Sequence, residues 1–495
     1  MSTPDQLLLC TCAGSQSVDA ASAKTATRAG TVKVCAQLCT AELAVAESAL
    51  KAGETLIACG QQAGQFAELA VDLGTASPLT VDIRDRAGWT DERHAHPKQA
   101  ALLAASLLPR PATPVKSVVS EGVCLVLGGD AALGAAEVLA EELAVTCLLH
   151  EAPEGLVPTD AFDIALGKVR TAAGALGGFT LKVDGYAALE PAGRGGARFA
   201  AAVDGAASQC DIIVDLRGVP ALFPADHKRD GYVRADPGNP AAVERAIRAA
   251  TALKGEFEKP LHVRFDAALC AHSRAGQEGC TRCLSVCPTG AISPAGEVVA
   301  IDPNICAGCG ACAAVCPTGA AGLDDPPATF LFSQLSTLAG TFRAAGGGVP
   351  RVLFHDAEFG AEMVALSARF GRGLPADVVP VEVSNVESVG HAELVAAAGV
   401  GFGAISVLLS PRSGRDVPQR ETALASAILQ GVGHVEVGLI DVADPEGLED
   451  ALYGVPAGAA IEEPILPLGD RRQVTRLAAA ALAGEDGPTV PLPEG

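Results

Sequence analysis

Aromatic residues are scarce in this 495-residue chain: one Trp, three Tyr and 14 Phe, 4% in all. Methionine is scarcer still, with two. Bulky side chains therefore cannot fill the interior. Alanine and glycine supply much of the volume, which suits helices packed closely on sheets. Long apolar runs are also missing. One apolar stretch without charges, Leu394 to Pro411, is near the lower limit for a membrane span. Gly399, Gly401 and Gly403 divide it into a helix end and a strand, so no membrane insertion is expected. The opening MSTPDQLLLCTC has neither a basic start nor an apolar core, so no secretory signal is expected and a cytoplasmic location is. There is no P-loop, no Ser/His/Asp set and no carboxylate pair at a catalytic spacing. The chain reads as a conduit more than a catalyst. Basic residues are the minority, 36 against 58 acidic, for a net charge of −22. That balance argues against nucleic acid and anionic membranes. It favours steering towards basic protein patches, or simply solubility.

Cysteine is the exception to this sparseness. Sixteen are present, and in a reducing compartment clustered cysteines indicate metal or redox chemistry before disulfides. Their setting is an α/β chain of several domains. Residues 1–116 alternate the strands LLLC, TVKVC, TLIAC and LTVDI with helices at 41–52, 62–73 and 97–108. The pattern predicts a parallel sheet covered on both faces. A link containing proline, LPRPATPVKS, follows. Residues 117–265 restart the pattern with GVCLVLGG, a helix from Asp130 and AVTCLLH, then an irregular middle, CDIIVDLRG and a helix over 241–254. Residues 266–325 are rich in cysteine and too short-turned for a core. Residues 326–484 return to α/β, and 485–495 read as a disordered tail. The expected architecture is thus multidomain α/β, with Rossmann-like parallel-sheet domains flanking a ferredoxin-like 2[4Fe-4S] domain.

The second cysteine motif is Cys306-x2-Cys309-x2-Cys312-x3-Cys316-Pro317. This is the bacterial ferredoxin spacing, in which the fourth cysteine ligates the other cluster of a pair. Three close thiolates wrap one cubane on a tight loop, and the fourth leaves that loop at the proline. Gly308 and Gly310 let the backbone approach the sulfides. The first motif is Cys270-x9-Cys280-x2-Cys283-x3-Cys287-Pro288, with Gln277 where the regular first ligand would fall. Cys270 is the replacement, and His272 is the alternative. By the crossing rule, cluster one takes Cys270, Cys280, Cys283 and Cys316. Cluster two takes Cys306, Cys309, Cys312 and Cys287. The echo CPTGAI/CPTGAA supports a pseudo-twofold pair. A zinc site or idle thiols would be the structural alternative. His272 and Arg274 read more simply as solvated loop residues than as catalysts. Arg282 lies between two cluster-one ligands, whereas Gly310-Ala311 is uncharged, so cluster one is expected to have the higher potential.

At the amino terminus, Cys10, Cys35 and Cys59 end successive strands, and Cys12 and Cys39 lie just beyond the first two. Parallel strands share one carboxyl edge, where ligands bind. The five cysteines are candidates for a third iron–sulfur centre. Buried thiols filling strand ends, or a Cys35/Cys39 redox dithiol, are the other readings. Cys124, Cys147 and Cys210 sit inside apolar strands and read as core.

The segments LLLCTCAGSQSVDA, VCAQLC, LIACGQQAGQF and DIRDRAGWTDERHAHPKQAALLAASLL resemble the A-type subunit of heterodisulfide reductases, where a cysteine-rich domain precedes a flavin domain. GVCLVLGGDAALGAAEVLAEELAVTCLLHE resembles the start of that flavin domain, but the likeness then fades. Its phosphate fingerprint departs from G-x-G-x-x-G: Gly128 holds the first position, Asp130 the second and Leu133 the third. A carboxylate repels pyrophosphate and a leucine obstructs the close helix packing, so FAD is not expected. Residues 351–411 resemble the delta-type subunit that links methyl-viologen-reducing hydrogenase to heterodisulfide reductase. That family binds a further cluster here through cysteines. This chain has none after Cys316. His355, Asp356 and His391 stand nearby, where structural roles are the commoner reading. The arrangement over most of the chain also resembles bacterial ferredoxin-type proteins found with formate dehydrogenases. These resemblances imply redox-protein partners, a dehydrogenase or reductase. The alternatives are a maturation factor for a molybdenum enzyme and a flavin-containing oxidoreductase related to heterodisulfide reductase.

Overall fold

The computed structural model describes residues 3–92, 94–191, 196–273, 277–430, 435–456, 458–459, 461 and 463–483. Arg274 and the acidic tail lie outside the described residues. The chain divides into two compact units, each made of separate stretches. One joins Met1–Ala112, Val263–Cys270 and Gly308–Gly495; the other joins Thr113–His262 and Ala271–Ala307. Residues 266–325 are therefore shared between the units.

The first unit begins with strands β1 (Gln6–Cys10), β2 (Thr31–Cys35), β3 (Thr55–Ala58) and β4 (Leu79–Thr80), all parallel in the order β2-β1-β3-β4. Helices α1 (Ala20–Thr27), α2 (Leu43–Ala52), α3 (Ala63–Leu73) and α4 (His96–Ser106) accompany them. Helix α1 was not expected. Asp19 starts it by accepting from the backbone N–H groups of Ala21 and Ser22 at 2.9 and 3.3 Å. Its apolar stripe is almost all alanine, so its periodicity is faint.

The second unit holds β5 (Val115–Ser120), β6 (Val123–Gly128), α5 (Asp130–Leu139), β7 (Ala144–Leu149), β8 (Asp163–Ala173), β9 (Phe179–Ala188), β10 (Ala206–Cys210), β11 (Ile212–Asp215), β12 (Tyr232–Arg234), α6 (Pro240–Thr251) and β13 (Gly255–Pro260). The sheet order is β10-β9-β8-β7-β6-β11-β12. Strands β7, β6, β11 and β12 are parallel, as in a Rossmann-like unit. The expected irregular middle is in fact a meander: β8 joins in parallel, and β9 and β10 are antiparallel. Strand β9 alternates buried and exposed residues over Phe179–Val183, so one face of the sheet is covered there. Cys124, Cys147 and Cys210 are buried as expected, and burial pushes each thiol up to about 12.

Further on, β14 (Val263–Phe265), α7 (Arg282–Val286), the hairpin β15 (Ile292–Ala295) and β16 (Val298–Ile301), α8 (Ala311–Ala314) and β17 (Ala321–Leu323) carry the cysteine motifs. The first unit then resumes with α9 (Ala328–Ala344), β18 (Arg351–Asp356), α10 (Phe359–Phe370), β19 (Val378–Val383), α11 (His391–Gly399), β20 (Ala404–Leu408), α12 (Asp416–Gln430), β21 (Glu436–Ile440), α13 (Pro445–Tyr453) and α14 (Arg471–Ala483). Its second parallel sheet runs β19-β18-β20-β21. Ala101, Leu102 and Ala105 of α4 and Leu335, Leu338 and Phe342 of α9 belong to one buried cluster with Val352 and Phe354 of β18. The amino- and carboxyl-terminal α/β layers thus share a core. No described helix is long and apolar enough to cross a membrane.

Candidate metal centre

Each cysteine motif is built the same way. In the second unit, α7 carries Cys283 and ends where Cys287 turns extended before Pro288. In the first unit, α8 carries Cys312 and ends just before Cys316 and Pro317. A Thr-Gly-Ala turn follows each proline, with Gly290 and Gly319 at φ of +68° and +73°. These left-handed positions favour glycine. Thr289 Oγ1 lies 3.7 Å from Cys287 Sγ, and Thr318 Oγ1 lies 3.7 Å from Cys316 Sγ. The CPTG echo in the sequence was the sign of this pairing.

The surroundings of Cys316 suit a thiolate. Burial raises its pKa, but the N–H of Ala321, which donates to Sγ at 3.5 Å, and the Thr318 hydroxyl outweigh burial and lower it. A thiolate is the form that ligates iron. Gly308 and Gly310 take φ of +74° and +73°, as the loop requires. A Cβ on Gly310 would also come within 2.4 Å of the Ser388 side chain, so this glycine serves packing as well. The donor set, glycine turns and inward N–H groups together fit cubane clusters. Among the described residues no three His, Cys, Asp or Glu side chains are disposed to share one metal ion. A cubane does not need such a group, because each thiolate binds a different iron.

Cys270 is buried and belongs to the first unit. It follows a turn at Ala267–Leu269, which Asp266 caps by accepting from Ala268 N–H at 2.9 Å. Strand β14, just before it, pairs antiparallel with β17, just after Cys316. The segments of Cys270 and Cys316 are thereby held side by side. Cys280, Cys283, Cys287 and Cys306 lie in the second unit, and Cys309 and Cys312 in the first. His272 corrects the expectation of a solvated residue: it is 4% exposed, and its Nδ1 stands 3.0 Å from the Cys280 carbonyl. That contact ties the His272 ring to the backbone of Cys280.

Two arginines far away in sequence flank the crossing cysteines. In the second unit, Arg229 donates to the carbonyls of Thr289 (2.7 Å) and Gly174 (3.1 Å), and its charge acts on Cys287. In the first unit, Arg471 donates to the carbonyls of Ala313 and Ala314 and forms a two-pronged pair with Glu393 at 2.6 and 2.7 Å. Burial opposes its charge, but Glu393 holds the guanidinium above its ordinary pKa. Breaking such a buried pair costs about 3–5 kcal/mol. Neither arginine was legible beforehand, because no local spacing connects them to the cysteines.

At the amino terminus the five thiols do come together. Cys10, Cys35 and Cys59 share one buried cluster, with Cys12 and Cys39 packed against it. Cys10 faces Cys35 across the β1–β2 register. A hydrogen bond from the Cys12 thiol lowers Cys10 to about 6, and donating it raises Cys12. Burial pushes Cys35 up to about 11. Cys12 and Ala13 take φ of +47° and +59°, conformations that non-glycine residues rarely hold and that cluster at functional sites.

In the Rossmann-like unit, Gly128 ends β6 at φ +154°, and a Cβ there would meet the Leu216 carbonyl at 2.8 Å. Asp130 opens α5, exposed in its first turn, and Leu133 packs against the core. His355 is 1% exposed and is pushed down to about 3, by burial first and then by Arg86. Its Nδ1 contacts the Asp356 carbonyl at 2.8 Å, and the Asp356 carboxylate accepts from Gly360 N–H at 2.7 Å. His391 Nδ1 pairs with Glu421 at 2.6 Å. All three are tied into the fold.

Residues 278–320 match the 4Fe-4S dicluster domain family. The match includes seven of the eight ferredoxin-type cysteines and leaves Cys270 outside. A search of curated proteins found no match. The chain therefore carries a 4Fe-4S dicluster domain, which supports iron–sulfur electron transfer with redox partners.

Proposed function

We propose that the protein passes single electrons through two [4Fe-4S] clusters, between a redox enzyme such as formate dehydrogenase and another carrier. Cys270, Cys280, Cys283 and Cys316 hold one cluster; Cys306, Cys309, Cys312 and Cys287 hold the other. The observation carrying this reading is the repeated helix–Cys-Pro-Thr-Gly turn with matching Thr–Sγ contacts. When bound, each cubane supplies one-electron iron chemistry. The chain's residues supply thiolates, N–H donors that disperse charge from sulfur, and a partly covered site. The partner follows from the resemblance to ferredoxin-type proteins found with formate dehydrogenases. Mixing anaerobic protein with formate and a formate dehydrogenase tests it. Bleaching of the cluster absorbance is expected. Reduction by dithionite without any bleaching by the enzyme would remove that partner.

A flavin-containing oxidoreductase subunit is the second reading, favoured by the strand–turn–helix at Gly128. Asp130 in the first turn of α5 opposes a bound pyrophosphate. Stoichiometric FAD in the supernatant of denatured protein would establish this reading instead. The third, a maturation factor for a molybdenum enzyme, predicts co-purification with an immature molybdenum enzyme.

A further inference from the structure

The chain is strongly acidic, yet four of its guanidiniums border one cleft of about 270 Å³ in the first unit: Arg264, Arg471, Arg472 and Arg476, with His391 and Cys316 beside them. Two of the four are committed. Arg471 is held by Glu393 at 2.6 Å, and Arg264 lies 3.6 Å from Asp324. Arg472 and Arg476 are exposed and make no ion pair among the described residues. The carboxylate of Asp470 also borders the cleft, but it accepts from the Gln473 N–H at 2.8 Å and caps α14. His391 is turned to Glu421. The local surplus of positive charge therefore rests on Arg472 and Arg476, one helical turn apart on α14. The first turn of α9, which no side chain caps, also reaches this cleft, and its dipole acts in the same direction.

We propose that this cleft binds a small oxyanion, a carboxylate or a phosphate-type group, beside the cluster ligand Cys316. Guanidinium forks match both groups in geometry. Size favours a small anion over an acidic protein. The net charge of −22 repels a polyanion from a distance, whereas screening confines that repulsion for a small ion inside the cleft. Bound negative charge beside Cys316 would disfavour the reduced cluster, and by reciprocity reduction would weaken anion binding. This coupling rests on the electron-transfer reading; the binding itself does not.

Calorimetric titration of the full-length, cluster-loaded protein with inorganic phosphate, and separately with acetate, tests the site. Saturable one-to-one binding of at least one of them is expected. Arg472→Gln/Arg476→Gln should weaken it by about tenfold or more. The control Arg245→Gln/Arg248→Gln, on α6 of the other unit, removes equal charge and should leave it unchanged. Acetate without phosphate assigns a carboxylate; phosphate without acetate assigns a phosphate-type ligand. No saturation by either, or equal loss in the control, overturns the site. A cluster midpoint that fails to fall when the bound anion is added overturns the coupling and leaves the binding result standing.

Discussion

Phe265 lies opposite Ala321 in an antiparallel pair, and the Asp266 N–H extends the pairing to the Ala320 carbonyl at 2.8 Å. This short ladder holds the approach to Cys270 against the exit from Cys316. It is the physical reason to give Cys270 to cluster one although the family match begins eight residues later, at residue 278. Cys270→Ser should remove or convert cluster one, seen as lost iron or a three-iron EPR signal, and leave cluster two. His272→Ala should retain both. The reverse outcome would make His272 the ligand.

The flanking arginines test the crossing rule. Arg282 lies between Cys280 and Cys283, and Arg229 acts on Cys287. Under the rule they serve different clusters. A guanidinium favours the reduced state, by about 1 kcal/mol at several ångströms near a surface, which is on the order of tens of millivolts. Arg282→Gln should lower the cluster-one midpoint and Arg229→Gln the cluster-two midpoint. Redox titration followed by EPR reads both. If the two substitutions move the same midpoint, Cys287 and Cys283 share a cluster and the rule fails here.

The amino-terminal thiols carry a separate expectation. If Cys10, Cys12, Cys35, Cys39 and Cys59 hold a third centre, Cys35→Ser or Cys59→Ser should lower the iron content and leave both ferredoxin-type EPR signals intact. Cys124→Ser, at an equally buried thiol, should change neither. Unchanged iron in all three variants would return the five to structural thiols.

Stability should depend on Lys98. It is fully buried, donates to the carbonyls of Leu374 and Pro375, and burial pushes its ammonium down to about 7. Unfolded, it would titrate near 10.4, so between about pH 7 and 10 the unfolded chain binds the extra proton. This group therefore makes stability rise with pH across that window, by at most about 1.4 kcal/mol per unit, and its penalty is complete below pH 7. Lys98→Met should remove that slope. The difference in Tm between wild type and variant should change from pH 7 to pH 10. A constant difference would mean that Lys98 stays charged when folded.

The parallel sheets were legible because buried parallel strands are continuous apolar runs, as in TLIA and AISVL. The cysteine motifs were legible because their chemistry demands fixed spacing. The meander β8–β10 was not, since its half-exposed strands carry Lys168, Arg170 and Lys182 among small residues. Helix α1 was missed for want of large apolar residues. Arg229 and Arg471 reach the cysteines only through tertiary structure, 58 residues before Cys287 and 155 after Cys316. His272 looked like a loop residue because nothing local shows that its ring is buried against the Cys280 carbonyl.

The most direct test of the central claim is metal and spin analysis of protein purified or reconstituted without oxygen. Iron and sulfide are expected in equal amounts, with two interacting S = 1/2 [4Fe-4S] signals on reduction. Both should depend on the cysteines between Cys270 and Cys316. Stoichiometric zinc in place of iron, or a reduced protein with a single isolated cluster signal, would contradict it.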